Sequence, residues 1–475
     1  MIRARTLSFT LAMAPFCAAT FALPAFGQWK AGAASVDITP PLPMWMSGYG
    51  NRTRPANSVA LKMNAKALAL EDATGRVVVI VTADLLGIPR VLRQGVEAKV
   101  EVRYHISPES LLLNASHTHC GPELRGVETV LSRADATRMK TVAACQAAIE
   151  EHLVGLIGDA LARREPAGLF YGQARAGFAM NRRANYELGP SDIRYGKVPN
   201  AEGPVDHAVP ILQVKSTDGK MKAVLFGYAC HNTTSGENTF HGDYAGFAQA
   251  ALEATYPGTV ALFMQGCAGD QNPYPRHNTS SGRTSIEVAK LHGQTLALAV
   301  EAGLNAFPRP ISGLLRAVME NVALPYLPAP TREQLTIRMA SGSRLDREYA
   351  QVLLEVLDRD GRLPQNYSYP IQVLQFGSDL TLVALASETV VDFSHRLQRE
   401  LSGPAVWVAG YCNDFMGYIP SRRVWEEGGY EGGGSQTYYA STLWRVVHPN
   451  IWDPTVEDLI VGKVHELARK VAPGR

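Results

Sequence analysis

His117 and His119 form a His-x-His pair directly after the apolar run Leu111–Ala115. In an extended segment, residues two apart share a face, so both rings can point the same way. Two imidazoles so placed suit a metal. Zinc takes three or four N, O or S ligands in a tetrahedron and keeps a position for water where it hydrolyses. The pair alone does not define a site, and its weight comes from where other polar residues fall. After Ala223–Tyr228 comes Ala229-Cys230-His231-Asn232. After Val260–Met264 comes Gln265-Gly266-Cys267-Ala268-Gly269-Asp270. After Leu380–Leu385 comes Ala386-Ser387-Glu388, and after Ala405–Val408 comes Gly410-Tyr411-Cys412-Asn413-Asp414, then Tyr418. Taken one at a time, these residues have plainer readings. His231 reads as a core or surface histidine, Glu388 as one half of a salt bridge or a helix start, and Tyr418 as core.

The apolar runs are the elements that must position this chemistry. Val77–Thr82, Leu111–Ala115, Ala223–Tyr228, Val260–Met264, Leu380–Leu385 and Ala405–Val408 read as strands buried on both faces. Helical patterns lie between some of them. Leu291–Leu304 is rich in Leu and Ala, and Ile460, Val464, Leu467, Ala468 and Val471 keep the spacing of one helix face before Pro473-Gly474. The predicted fold class is α/β, a single large catalytic domain with a mixed β-sheet flanked by helices. In such folds ligands bind at the carboxyl ends of strands. Five strand ends bearing His, Glu, Asp and Tyr would then face one crevice. Residues 325–365 start with Pro325, Pro328 and Pro330 and continue in a charged, helix-favouring stretch, a surface excursion in preference to a lid.

The 475 residues allow about three domains by length, but no linker divides them. At 46% hydrophobic and 19% charged the composition is globular, which excludes a mainly disordered or collagen-like chain. A net charge of +2 without a basic block argues against a nucleic-acid partner. Residues 1–27 read as a signal peptide: Arg3 and Arg5, then an apolar stretch broken by Pro15 and Pro24, then Ala25-Phe26-Gly27. The expected location is exported, periplasmic or secreted, with residues 28–475 as the mature domain. Of six cysteines, Cys17 falls in this segment, and the odd remainder leaves at least one thiol unpaired. His-Glu-x-x-His, a phosphate-binding loop and Gly-x-Ser-x-Gly are all absent, which disfavours serine hydrolysis on a nucleophile elbow.

Together, the segments resemble the neutral (non-lysosomal) ceramidase family. Ser116-His117-Thr118-His119-Cys120-Gly121-Pro122 is similar to its His-Thr-His-Ser-Gly-Pro signature. Met180-Asn181-Arg182-Arg183, Ala229-Cys230-His231-Asn232-Thr233 and Gly269-Asp270-Gln271-Asn272-Pro273 resemble its Asn-Arg-Ser-Pro, second zinc-histidine and Gly-Asp-Val-Ser-Pro segments. Ser387-Glu388 matches a Gly-Glu position, and Asn413 to Glu431 resembles a tyrosine-rich segment ending in Tyr-Glu-Gly, here Tyr430-Glu431-Gly432. The resemblance implies four Zn2+ ligands, His117, His231, Glu388 and Tyr418, at the strand ends. It also implies that His119, Arg182 and Tyr430 line the reacting centre.

Two departures stand out. Asn272 replaces the serine that some members are proposed to use as nucleophile. The chain ends 43 residues past Gly432, short of the family's immunoglobulin-like domain of about 100 residues. The expected function is zinc-dependent hydrolysis of a linear amide, ceramide-like or another N-acyl lipid, by a zinc-activated water. A small-molecule or lipid amide is the partner, and a lipid amide would bring peripheral contact with a membrane surface. Zinc and Tyr430 would stabilise the oxyanion, His119 would move the proton, and Arg182 would orient a polar or anionic substrate group. Asp243 and Asp270 are candidate acceptors for the outer nitrogens of ligand histidines, with a turn or cap role equally open. The alternatives are a binuclear metal amidohydrolase and an exported, non-catalytic zinc- or lipid-binding protein.

Overall fold

Each uninterrupted apolar run folds as a strand because both of its faces find apolar neighbours. The computed structural model describes residues 28–50, 52–124, 136–183, 200–276, 282–436 and 447–473; residues 1–27, where a signal peptide is expected, lie outside the described residues. In chain order the strands are β1 (Trp29–Asp37), β2 (Asn64–Glu71), β3 (Val77–Ala83), β4 (Leu111–Ala115), β5 (Glu165–Arg175), β6 (Ala179–Asn181), β7 (Ala208–Ser216), β8 (Met221–Tyr228) and β9 (Val260–Gln265). There follow β10 (Gln271–Pro273), β11 (Arg309–Ile311), β12 (Leu315–Pro325), β13 (Asn366–Phe376), β14 (Leu380–Leu385), β15 (Glu388–Thr389), β16 (Val406–Ala409) and β17 (Tyr418–Ile419). All six expected strands are present within a residue or two of their predicted ends.

The large sheet runs β4-β3-β2-β1-β5-β7-β8-β9, with β11 joined to β5, and a second sheet runs β12-β13-β14-β16. The two stack face to face. Leu68, Leu70, Ile80, Leu112, Leu225 and Leu262 from the large sheet meet Leu374, Phe376, Leu382 and Trp407 from the small one. Alternation along each strand sends the next residue outward to a helix layer. Helices α1 (Arg90–Tyr104) and α2 (Ala136–Ala162) cover Ala67, Val79, Val81 and Leu113. Helices α3 (Asp243–Thr255) and α4 (Ser285–Asn305) cover Ile211, Val224, Phe226 and Phe263. On the far side Phe393, Leu397 and the C-terminal helix (Val456–Val471) cover Val373, Val383 and Val408. The helix-flanked mixed sheet expected from the sequence is therefore two sheets between two helix layers. Leu382→Ala, at the middle of the inter-sheet core, is expected to cost about 2–5 kcal/mol in denaturant unfolding. A loss under about 1 kcal/mol would contradict tight stacking of the sheets.

Residues 325–365 fold as the end of β12 and a helical hairpin, α5 (Arg332–Ser341) and α6 (Arg344–Asp360). Leu335, Tyr349 and Leu353 pack in a small core with Val447, and Tyr349 Oη donates to the carbonyls of His448 and Pro449. These contacts fit the surface excursion rather than a lid. No helix of the described residues is long and apolar enough to cross a membrane. The five cysteines outside residues 1–27 are all buried and unpaired.

Four strand pairs are parallel: β3/β4, β8/β9, β14/β16 and β15/β17. Parallel partners deliver their carboxyl ends to one side, which gathers the polar segments. Asn114 ties three of these ends together. Its Oδ1 accepts from Gln265 N at 2.9 Å, and its Nδ2 donates to Gly410 O at 2.7 Å.

Candidate metal centre

His117 leaves the end of β4, His231 the end of β8 and Glu388 the end of β14. Glu388 and Tyr418 are register partners in the short β15/β17 pair, so their side chains start side by side. All four are buried. Glu388 Oε2 lies 3.3 Å from His117 Nε2 and 3.2 Å from His231 Nε2, and Tyr418 Oη lies 3.4 Å from His231 Nε2. The outer nitrogens explain the ring orientations. His117 Nδ1 donates to Leu86 O and His231 Nδ1 donates to Ala268 O, both at 2.7 Å. A neutral imidazole that donates through Nδ1 has only a lone pair on Nε2. Two lone pairs and a carboxylate oxygen thus converge on one point.

That donor set fits a cation. Ligands about 2.0–2.1 Å from a tetrahedral zinc ion lie about 3.3 Å from one another, which the three spacings match. Burial, with Arg182 beside it, pulls His231 down to about 3, so its ring is neutral. Burial drives the Tyr418 phenol well up, opposed by Arg182, whose Nη2 donates to Tyr418 Oη at 2.8 Å.

His119 Nε2 lies 3.1 Å from His117 Nε2, as close as a ligand atom, and His117, His119 and His231 together form a group able to hold a metal. Its outer nitrogen sets it apart. Among the described residues His119 Nδ1 is buried without a hydrogen-bond partner, so none of them fixes its tautomer as carbonyls fix the other two. Burial, His117 and His231 hold its pKa well below the ordinary value. The ring stands 4.8 Å from that of Tyr49.

Arg182 enters through the β6/β10 pair, where its own N–H donates to Asp270 O at 2.8 Å. All three side-chain nitrogens meet protein: Nε with Glu431 at 2.7 Å, Nη1 with His231 Nε2 at 3.2 Å and Nη2 with Tyr418. The substrate-orienting role expected of it is left to the second N–H of each Nη group. Tyr430 sits at the rim, 43% exposed, with its ring 5.2 Å from that of Tyr418. Asn272 is buried in β10, where its Oδ1 accepts from Thr233 Oγ1 at 3.4 Å.

Asp243 and Asp270 do not face the ligand histidines, which correct their outer nitrogens onto backbone carbonyls instead. Asp243 accepts from Ser235 N and Tyr244 N, a turn and helix-start role. Asp270 accepts from Val391 N at 2.9 Å and Asn181 Nδ2 at 3.0 Å, tying the Arg182 strand to the Glu388 segment. Cys120, His241 and Asp243 form a second close group. There His241 Nδ1 accepts from Asp243 N at 3.0 Å, so the neutral ring carries its proton on Nε2 and offers no lone pair. Burial lifts the Cys120 thiol to about 12.

Backbone strain concentrates around the centre. His117, Ser387, Tyr411 and Asn413 have φ of 62°, 63°, 56° and 64°, a region costly for non-glycine residues. Surrounding bonds hold them there. Ser387 Oγ accepts from Met416 N at 2.6 Å and Ser387 O from Tyr411 N at 2.9 Å. Asn413 Oδ1 accepts from Leu113 N at 3.0 Å and from buried Arg93, and its Nδ2 donates to Gln372 at 2.7 Å. Sequence reasoning missed Asn413, Arg183, Glu431 and the two carbonyls. Asn413, Arg183 and Glu431 stood in the quoted segments with no role assigned to them, and the carbonyls left no signal.

Comparisons with known proteins place the fold and the family. The chain is 26% identical over 263 residues to a neutral ceramidase of Pseudomonas aeruginosa, covering 54% of this chain. That match spans 38% of the length of the relative. The crystal structure of the neutral ceramidase from Pseudomonas aeruginosa superposes with a TM-score of 0.71 at 20% identity, over 94% of this chain and 76% of that one. A ceramidase complexed with C2 superposes equally well, with the same TM-score, identity and coverage. At this identity the likeness establishes the fold. The family model described as neutral/alkaline non-lysosomal ceramidase, N-terminal, matches residues 29–287, a stretch that holds His117, His119, Arg182 and His231, and the chain belongs to that family.

Proposed function

We propose that this protein is a zinc-dependent hydrolase of a linear amide bond in a ceramide-like or other N-acyl lipid. The observation that carries the reading is the convergence of His117 Nε2, His231 Nε2 and Glu388 Oε2 at 3.2–3.3 Å, with both outer ring nitrogens donating to carbonyls. Family membership supports the amide as the bond cleaved. His117, His231, Glu388 and Tyr418 are the residues that would hold zinc, which supplies Lewis acidity toward water and the amide carbonyl.

The remaining work falls to the chain's own side chains. His119 is neutral and faces the centre, so it takes the proton of the attacking water and passes it to the leaving amine. Tyr430, at the open rim, donates its phenolic proton to the carbonyl oxygen as negative charge develops there. Arg182 fixes Tyr418 Oη and offsets negative charge on the phenol. No serine is required, in keeping with Asn272. The basic and apolar first 27 residues support export.

The test is release of fatty acid and free amine from N-acyl lipids by purified protein, with and without a chelator. Loss on chelation and recovery with zinc is the expected result. Activity that survives complete metal removal overturns the mechanism. Lipid binding without fatty-acid release favours the non-catalytic alternative.

A further inference from the structure

Beside His119 stands Tyr49, with Arg52 against its ring and the charge of Arg276 acting on its phenol. Gly48 lies so close that a Cβ on it would come within 2.6 Å of His119 Cγ, which places the loop that follows, with Tyr49 and Arg52, against the catalytic ring. The Arg52 guanidinium carbon stands 4.9 Å from the Tyr49 ring centroid, Tyr49 Oη donates to Ser235 O at 3.3 Å, and the charge of Arg276 acts on the Tyr49 phenol. The Nε of each arginine is buried without a hydrogen-bond partner. Arg52 spends its Nη groups on the backbone carbonyls of Ser47 and Glu237. Among the described residues neither guanidinium has a carboxylate within 4 Å. Of the nearby acids, Glu123 acts on Arg52 only from beyond ion-pair distance, Glu237 Oε1 accepts from Ser285 Oγ at 2.8 Å, and Asp243 accepts two backbone N–H groups.

A half-buried guanidinium with no anion against it is costly, and burial accordingly pulls the Arg52 pKa down. Guanidinium forks favour planar or tetrahedral oxyanions. We infer that Arg52 and Arg276 form a subsite for an anionic group on the amide substrate, so that the preferred substrate is an N-acyl amide whose amine half carries a carboxylate or phosphate. The inference rests on the hydrolase reading above and narrows it. Tyr49 stands beside His119 with Arg52 against its ring, so the anion lies near the leaving amine that His119 protonates.

The experiment compares dodecanoyl-glycine, dodecanoyl-O-phosphoethanolamine and dodecanoyl-ethanolamine as substrates of the zinc-loaded full chain. These share an acyl chain and differ in the headgroup. The wild type is expected to prefer an anionic amide by about tenfold or more in kcat/KM, and which anionic arm leads distinguishes carboxylate from phosphate. Arg276→Gln is expected to shrink that preference by about tenfold, mainly through KM, with Arg276→Lys between the two. The wild-type ratio decides the matter even where Arg52→Gln fails to fold. A wild type that cleaves the neutral amide as well as the anionic ones, or a preference that Arg276→Gln leaves intact, overturns the subsite while the hydrolase reading stands. Cleavage of none of the three, nor of a ceramide, overturns both.

Discussion

His117→Ala and Glu388→Ala each reduce amide hydrolysis by about 10^3-fold or more and lower bound zinc well below one per chain, as the expected result of removing one of three converging donors. A Lewis acid contributes several kcal/mol to the transition state, and each 1.36 kcal/mol is a factor of ten. The two variants should differ in stability. Glu388 places its carboxylate between two imidazoles that face it with lone pairs. Its removal relieves that arrangement in the metal-free chain, so Glu388→Ala is expected to retain the fold. His117→Ala removes a ring packed against Tyr411 and Phe415 as well as a donor, and is expected to lower stability by about 2–4 kcal/mol. Elemental analysis and fatty-acid release on the same samples check both. A His117→Ala protein that keeps stoichiometric zinc and full activity would move the centre elsewhere. His119→Ala separates the roles: zinc should remain bound while kcat falls by about 10^2–10^4. Zinc lost in step with activity would instead make His119 a ligand.

The strands were legible because burial on both faces leaves no alternation to misread. Leu111–Ala115 and Leu380–Leu385 begin and end where their apolar runs do. The strand-end residues followed from the same runs, since a polar residue directly after a buried strand must meet something at its mouth. What the sequence did not show is of three kinds. The β6/β10 and β15/β17 pairs are only two or three residues long, so tertiary contact sets them and they leave no periodic trace. The groups that orient His117 and His231 are the carbonyls of Leu86 and Ala268, and a backbone oxygen has no residue type. Asp243 and Asp270 looked like the orienting groups because a carboxylate near a ligand histidine is the commoner signal, yet backbone N–H groups use both. Finally, left-handed backbone is usually marked by glycine, whereas here His117, Ser387, Tyr411 and Asn413 adopt it. The hydrogen bonds that force them into it come from distant strands.

Glu431→Gln is expected to be among the most damaging changes away from the metal ligands. Glu431 is buried and bridges two arginines, Arg182 at 2.7 Å through Oε1 and Arg183 at 2.7 Å through Oε2. Arg183 is itself buried, and Glu427 is a further acidic partner, at 3.1 Å. Removing one charge from a buried cluster leaves the others uncompensated, which costs about 3–5 kcal/mol. Burial pushes the Glu431 carboxyl up, but Arg182 and Arg183 outweigh it and hold it below its ordinary value. Its contribution is therefore complete above the unfolded glutamate pKa of about 4.3 and is lost as pH falls through the lower folded value. Denaturant unfolding should show the gap between wild type and Glu431→Gln at pH 7 and its closing in acid. Activity provides a second, independent readout. Arg182 reaches Tyr418 Oη only while Glu431 holds its Nε, so the variant is expected to lose about 10–100-fold in kcat. Adding Arg183→Gln to Glu431→Gln removes one of the two cations left in excess and should restore part of the stability without restoring kcat. If the double variant recovers both together, Glu431 acts on the fold alone and Arg182 has no part in holding Tyr418.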